Sequence, residues 1–329
     1  MFFSRLKILF CFLLPLSAGL LSASENFNFS LDLDFGLLNG HIYEYVFHDI
    51  NQNTDHMESM LDWDVKNIPY FELSAQADLW KYVYVGFDGK IGVPKSSGNM
   101  QDYDWLNSVG GGDGMHTAWK SESPFELTNY SKHNNNLTSY YCVNFLVGGN
   151  IPLLDNSVKI TPFLSYDYWF IGFDGSKGYG EYKSKNFVRE YFNGSVISYK
   201  QEYNSFLVGT TVSGTVFNNF YLEGTLMLSP MMVYNVSIDN HKVRNVIFID
   251  IINNAFEIKG QLQAKYKFNN LLNFGIKSSI QYIPVSKGYD YMNPPQKEGK
   301  YYITNPEPGV QGGTSSFLWT FSLNCGLTL

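Results

Sequence analysis

An all-β fold, a ten-stranded antiparallel transmembrane β-barrel with long extracellular loops, is the architecture this sequence predicts, and three observations carry it. Apolar and polar residues alternate with period 2 over long runs. About ten such runs are joined by connections that are alternately tight and long. Aromatic residues make up 17% of the chain, as the girdles of an outer-membrane barrel require. After the first residues no stretch approaches the ~20 continuous apolar residues of a membrane helix, so strands are left as the crossing elements. A secreted β-sandwich is the competing reading of the same alternation.

Residues 1–24 read as a signal peptide. Arg5 and Lys7 precede the apolar run from Ile8 to Leu16, and small residues follow at Ser22-Ala23-Ser24, the order of regions in an export signal. Its removal leaves 21 basic residues against 30 acidic ones. That balance excludes nucleic acid as a partner. Residues 25–329 then form a single barrel domain without internal repeats. Cys142 and Cys325 lie in strand-like segments without metal-ligand spacing and read as two free, buried thiols rather than a staple.

The strands follow in order. Over 27–47, Leu31, Leu33, Phe35 and Leu37 oppose Ser30, Asp32 and Asp34; over 59–79, Phe71, Leu73, Ala75 and Ala77 oppose Tyr70, Glu72, Ser74 and Gln76. The run 82–97 puts Val83, Val85, Phe87 and Ile91 toward lipid and Asp88 and Lys90 inward. Similar runs cover 127–150, 157–174 and 194–217. Over 220–239, Tyr221, Glu223, Thr225 and Ser229 face inward against Leu222, Leu226 and Leu228. Over 245–268, Lys259, Gln261, Gln263, Lys265 and Lys267 form one polar face that suits a wet lumen. Runs at 272–291 and 313–328 close the set, the last with Phe317, Trp319, Phe321 and Leu323 alternating toward its end at Leu329. Tight connections fall at Trp80-Lys81, Leu153 to Asn156, Asn218-Asn219 and Asn269-Asn270; longer polar ones fall at 48–58, 98–126, 175–193 and 292–312. Short turns at one end and long loops at the other are the outer-membrane pattern. Runs longer than the ~9 to 11 residues that cross a bilayer imply a barrel projecting beyond it.

Two acidic clusters stand out: Asp102-Tyr103-Asp104 and Asp239-Asn240-His241. Three carboxylates and an imidazole suffice for a water-activating hydrolase if the fold unites them. Strand parity supports that. Odd parity continued from Tyr221 brings Ser237, Asp239 and His241 inward, and even parity continued from Asp88 brings Asp102 and Asp104 inward, unless a bulge near Pro94 intervenes. A calcium loop at Asp102 fails, because Asn107 and Asp113 stand where its glycine and glutamate belong; no metal ligand set is assigned. Ser123 near His116 has no nucleophile elbow around it.

Taken in order, Gly40-x-x-x-Glu44-x-Val46, Leu61-Asp62-Trp63, Ser97-Gly98-Asn99-Met100-x-Asp102-x-Asp104-Trp105, Tyr199-Lys200-Gln201 and Asp239-x-His241 resemble the omptin family of outer-membrane endopeptidases across the mature chain. The resemblance implies peptide-bond hydrolysis at the cell exterior, with Asp102, Asp104, Asp239 and His241 catalytic and a water between the two couples. It also implies substrate contacts at Glu44, Ser237 and Met100, protein or peptide substrates, and a monomer in outer-membrane lipid. No cofactor is implied beyond lipopolysaccharide as an activator.

Two departures matter. Where the family carries a second pocket aspartate and a further acid, this chain has Ser237 and Ser121, so only a modest preference for basic residues is expected. Where the family's basic lipid contacts fall, it has Phe170 and Glu202, with Tyr166 as the surviving headgroup contact, so the lipopolysaccharide site is poorly matched. The alternative function is a catalytically silent barrel acting as adhesin or invasin. A small porin fares worse, since ten strands leave a lumen crowded by Tyr84, Glu223 and Lys265.

Overall fold

The period-2 alternation resolves into strands that close on themselves. The computed structural model describes residues 27–50, 53–79, 82–106, 126–154, 157–217, 219–297, 300–303 and 305–328. The barrel wall consists of β1 (Phe27–Ile50), β2 (Asn53–Leu79), β3 (Val83–Gly92, resuming at Lys95–Asp104), β4 (Asn129–Gly149) and β5 (Val158–Tyr182). It continues with β6 (Ser195–Phe217), β7 (Phe220–His241), β8 (Val246–Lys267), β9 (Leu272–Lys287, resuming at Tyr289–Met292) and β10 (Val310–Thr328). Each pairs antiparallel with its neighbours in sequence, and β10 pairs with β1, which leaves no free edge.

The outer wall is apolar over a band. Leu33, Phe35 and Leu37 on β1 are exposed beside Phe317, Trp319, Phe321 and Leu323 on β10. Strands of 24, 27 and 25 residues in β1, β2 and β5 far exceed the ~9 to 11 residues of a bilayer crossing. The staves therefore project beyond the lipid on the side of the β1–β2, β3–β4, β5–β6, β7–β8 and β9–β10 connections. Three segments expected as loops are entered by strand there: β1 and β2 pair as far as Ile50 and Asn53, β3 runs to Asp104, and β5 runs to Tyr182. Their polarity misled the reading because a stave that leaves the lipid meets water on its outer face, while its backbone pairing continues. The tight turn at Asn269 is as expected, its Oδ1 accepting from the Leu271 and Leu272 amides at 2.8 and 2.7 Å.

Inside, the barrel has two zones. The membrane-level lumen is polar and ion-paired: Lys265 meets Asp32 at 2.6 Å, Lys259 meets Asp167 at 2.5 Å, and Lys277 meets Asp34 at 2.7 Å. Above it lies a buried apolar layer in which Trp63 stacks between Phe173 and Tyr199, with centroids 5.4 and 5.3 Å away, and Trp169 stacks on Tyr203 at 3.9 Å.

Both cysteines are free, as read, but neither is fully buried. Cys142 is half-buried on the lumen side with its Sγ 3.5 Å from Asp167, whereas Cys325 is exposed on the outer wall in step with Leu323 and Leu327. Opposite faces of the wall explain both their separation and the exposure of Cys325. The signal segment, Ser121, His116 and Ser123, the Trp80-Lys81 turn and Leu329 lie outside the described residues.

Candidate active site

Bulges decide which side chains enter the barrel. On β7 the register shifts between Ser229 and Val233 against both neighbours, a step of four residues facing two on β8 and of five facing three on β6. Two extra residues leave the parity unchanged. Val233, Asn235, Ser237, Asp239 and His241 are accordingly buried inside, as an unbulged strand would also place them. On β3 the break at Val93-Pro94 and the bulge between Ser96 and Gly98 likewise restore even parity, so Met100, Asp102 and Asp104 point inward.

Asp102, Asp104 and His241 line one cleft, about 330 Å³ in volume, which opens at the projecting end and also takes in Tyr182, His133 and Arg244. His241 Nε2 lies 2.6 Å from Asp239 Oδ2. With Nε2–H donated to this carboxylate, Nδ1 keeps its lone pair, and the ring is braced edge-on by Phe248 at 5.6 Å. On the facing wall, Asp104 Oδ2 accepts from Asn129 Nδ2 at 3.2 Å, which orients that carboxylate. Asp102 Oδ1 and Asp239 Oδ1 are buried with no hydrogen-bond partner.

Burial, and then the charge of Asp104, push the Asp102 carboxyl well above the usual carboxylate range. Arg244, in the β7–β8 turn, opposes this by reaching across to bring Nη2 within 3.8 Å of Asp102 Oδ2. Sequence reasoning missed Arg244, because a turn arginine three residues past His241 carries no signal until the two walls are seen together. It also missed His133, whose Nδ1 meets the Lys177 carbonyl and whose Nε2 meets Ser131 Oγ at 3.0 Å. Burial lowers the His133 pKa, and both ring nitrogens are engaged in the wall.

The three expected substrate contacts separate. Met100 is buried in the apolar layer and forms part of the cleft floor. Glu44, on β1, is 2% exposed, and its carboxyl is pushed well up by burial and then by Asp239 and Asp250. Ser237 is fully buried and donates from Oγ to Asp250 Oδ2 at 2.9 Å. Asp250 itself hydrogen-bonds Asp290, so the wall beside Ser237 is more acidic than Ser237 and Glu44 alone suggest.

On the outer wall, Phe170 and Glu202 are cross-strand neighbours, Phe170 stacks on Tyr141 at 5.0 Å, and Tyr166 donates to Asn204 Oδ1 at 2.6 Å. Among the described residues one His/Asp group has metal-like spacing, His41 with Asp62 and Asp64 outside the barrel. It is already satisfied: His41 Nδ1 bonds Asp62 at 2.8 Å, and Asp64 Oδ2 takes Lys66 Nζ at 2.6 Å and the Asn99 amide at 2.8 Å.

Known proteins resemble this chain in sequence and in shape. The sequence profile of the Omptin family matches residues 25–317. The plasminogen activator of Yersinia pestis is 24% identical over 225 residues, 67% of this chain and 65% of that protein. The chain thus aligns with just under two thirds of that relative's length. The crystal structure of the outer membrane protease OmpT from Escherichia coli superposes with a TM-score of 0.77 at 19% identity, covering 92% of this chain and 97% of that one. On the match across residues 25–317, the chain belongs to the omptin family and is an outer-membrane β-barrel whose candidate site opens at the cell surface.

Proposed function

We propose that this barrel is an endopeptidase that hydrolyses peptide bonds of proteins at the cell surface. The observation that carries the reading is the meeting, in one cleft, of His241, hydrogen-bonded to Asp239, with Asp102 and Asp104 on the facing wall. His241 takes a proton from a water through Nδ1, and Asp239 holds the ring in the required tautomer and balances the imidazolium. The water's oxygen adds to the scissile carbonyl carbon. Asp102, which burial and Asp104 predispose to carry a proton, holds that water and hydrogen-bonds the developing oxyanion. His241 then returns its proton to the leaving amine, and the peptide bond breaks. The Yersinia relative is named for activating plasminogen, which fits a proteolytic role for this chain.

Refolded protein should cleave quenched-fluorescence peptide libraries, and Asp102→Asn and His241→Ala should each abolish most of that turnover. Binding of cell-surface ligands with no cleavage of any peptide would establish the adhesin or invasin reading instead. The lipid dependence should differ from the family's, because Phe170 and Glu202 cannot pair with phosphate. Cleavage in lipopolysaccharide-free detergent should match cleavage after lipopolysaccharide is added. With no free sheet edge, the protein should run as a monomer in detergent.

Arg244 offers a separate test of the groove's electrostatics. Its charge lowers the Asp102 pKa, so Arg244→Ala should raise that pKa. Any limb of the kcat/KM–pH profile set by ionisation of Asp102 should move to higher pH. An unshifted profile would detach Asp102 from the rate.

A further inference from the structure

Hydrolysis in this cleft places a negative charge on the scissile carbonyl oxygen, and that charge needs a donor. The backbone beside the two couples belongs to strand ladders. Asp102 lies opposite Leu61 and Ser131, and His241 lies opposite Ile197 and Val246. An oxyanion hole of clustered backbone N–H groups does not fit extended strands paired on both edges, so a side chain must supply the donor. Asn129 gives its Nδ2 to Asp104 at 3.2 Å, and both ring nitrogens of His133 are engaged in the wall. Among the described residues two permanent cations line the cleft, Lys185 and Arg244. Lys185 is ion-paired with Glu190 in the β5–β6 connection, where both side chains are exposed. Arg244 stands against the couples.

The fold aims it there from a braced turn. His241 pairs with Val246, so Lys242 to Asn245 make the whole β7–β8 connection. Asn245 closes it in the left-handed region at φ 55°, which an asparagine tolerates. Lys242 pins the turn to β6 and β5: its amide donates to the Val196 carbonyl at 2.9 Å, and its Nζ donates to Asp174 Oδ1 at 2.6 Å. From that base Arg244 carries Nη2 to within 3.8 Å of Asp102 Oδ2, with its side chain 28% exposed. The separation is longer than a hydrogen bond, so this is a contact of charges. Burial works against the guanidinium charge, but Asp104, Asp102 and Asp239 outweigh it and hold the proton more firmly than usual. Those three acids stand on both walls. The guanidinium therefore lies between the couples, where the carbonyl of a bound peptide must sit for the water to reach it.

We propose that Arg244 is a catalytic residue that binds the oxyanion of the tetrahedral intermediate. The proposal rests on the endopeptidase reading above, and it adds a fixed positive charge to the hydrogen bond from Asp102. As the water oxygen bonds to the scissile carbon and its proton passes to His241, the carbonyl π pair moves onto oxygen. The guanidinium N–H groups donate to the O⁻ so formed. On collapse that pair reforms the carbonyl, the carbon–nitrogen bond breaks, and the nitrogen leaves with the bonding pair and takes the proton back from His241. Arg244 keeps its own proton throughout. A planar fork of five donors suits the role, because it can face Asp102 and the oxyanion at once. The braced turn sets the charge in place before the reaction, which is the condition for large electrostatic stabilisation.

Peptide hydrolysis by Arg244 variants, in protein whose heat-shifted gel mobility shows a folded barrel, tests it. Arg244→Met should lower kcat about 10²- to 10³-fold, the worth of an oxyanion donor, with KM within about threefold of the parent. Arg244→Lys should keep more activity than Arg244→Met, and added guanidinium ion should recover part of the loss in Arg244→Ala. A charge that acted only through Asp102 would move the pH profile and leave its plateau at the parent's height. A side chain that only blocked the cleft would give a faster Arg244→Met protein. Either result overturns the proposal.

A phosphinic peptide, whose anionic tetrahedral phosphorus copies the intermediate, gives a readout without turnover. In the His241→Ala background, calorimetry should show it binding about 100-fold tighter than the matched amide peptide, the low end for a transition-state analogue. Adding Arg244→Met should erase most of that margin and leave amide binding as it was. Loss of the margin supports the oxyanion site even if no peptide is cleaved. A margin that is missing before Arg244→Met, or intact after it, sinks the site even if the parent proves to be a peptidase.

Discussion

Replacing His241 with alanine should lower kcat/KM for peptide hydrolysis by ~10² to 10⁴, the usual worth of a positioned general base, while the barrel stays folded. The size follows from what the ring holds. Its Nε2 is committed to Asp239 at 2.6 Å, so only the other nitrogen can accept the water's proton. Truncation also leaves Asp239, 2% exposed, without its hydrogen-bonding partner and close to Glu44 and Asp102. The fold should tolerate this, because His241 is the last residue of β7 and its ring meets Phe248 edge-on outside the buried apolar cluster. Single-turnover kinetics with a peptide, alongside heat-shifted gel mobility, would measure both quantities. Activity within threefold of the parent would remove His241 from the mechanism.

A comparably large effect, on stability instead of rate, is expected for Lys277→Met. The Lys277 ammonium lies 2.7 Å from Asp34 and 3.2 Å from Glu72, with all three side chains at most 6% exposed. Removing the shared cation leaves two buried carboxylates with Ser322 and Lys90 as their partners among the described residues. Breaking a buried ion pair from one side typically costs ~3 to 5 kcal/mol. Urea titration of the detergent-refolded protein should show a matching fall in unfolding free energy. The Lys277→Met/Asp34→Leu double variant should recover part of the loss, because its methionine and leucine can pack together. A single variant as stable as the parent would mean that water in the lumen solvates these carboxylates.

The number, order and facing of the membrane-level strands were legible because lipid on one side and a polar lumen on the other impose strict alternation. The same alternation located Asp102, Asp104, Asp239 and His241, and it survived on β7 only because the bulge there adds an even number of residues. Asp250 and Asp290 were illegible for the complementary reason. A single inserted residue reverses every side chain beyond it, and neither Asn254 nor Pro284-Val285 announces the slip in sequence. The strand ends within 48–58, 98–104 and 175–182 were hidden because segments above the lipid lose the apolar face that marks a strand. Arg244 and His133 needed the two walls side by side before either had a meaning.

The stacked layer of Trp63, Phe173, Tyr199, Trp169 and Tyr203 across the barrel has a consequence for the cell as a whole. Among the described residues it is a packed, buried layer between the external cleft and the ion-paired lumen, so it narrows the way through the barrel for hydrated solutes. A barrel filled at this level presents its cleft to the exterior without the open, water-filled lumen of a porin.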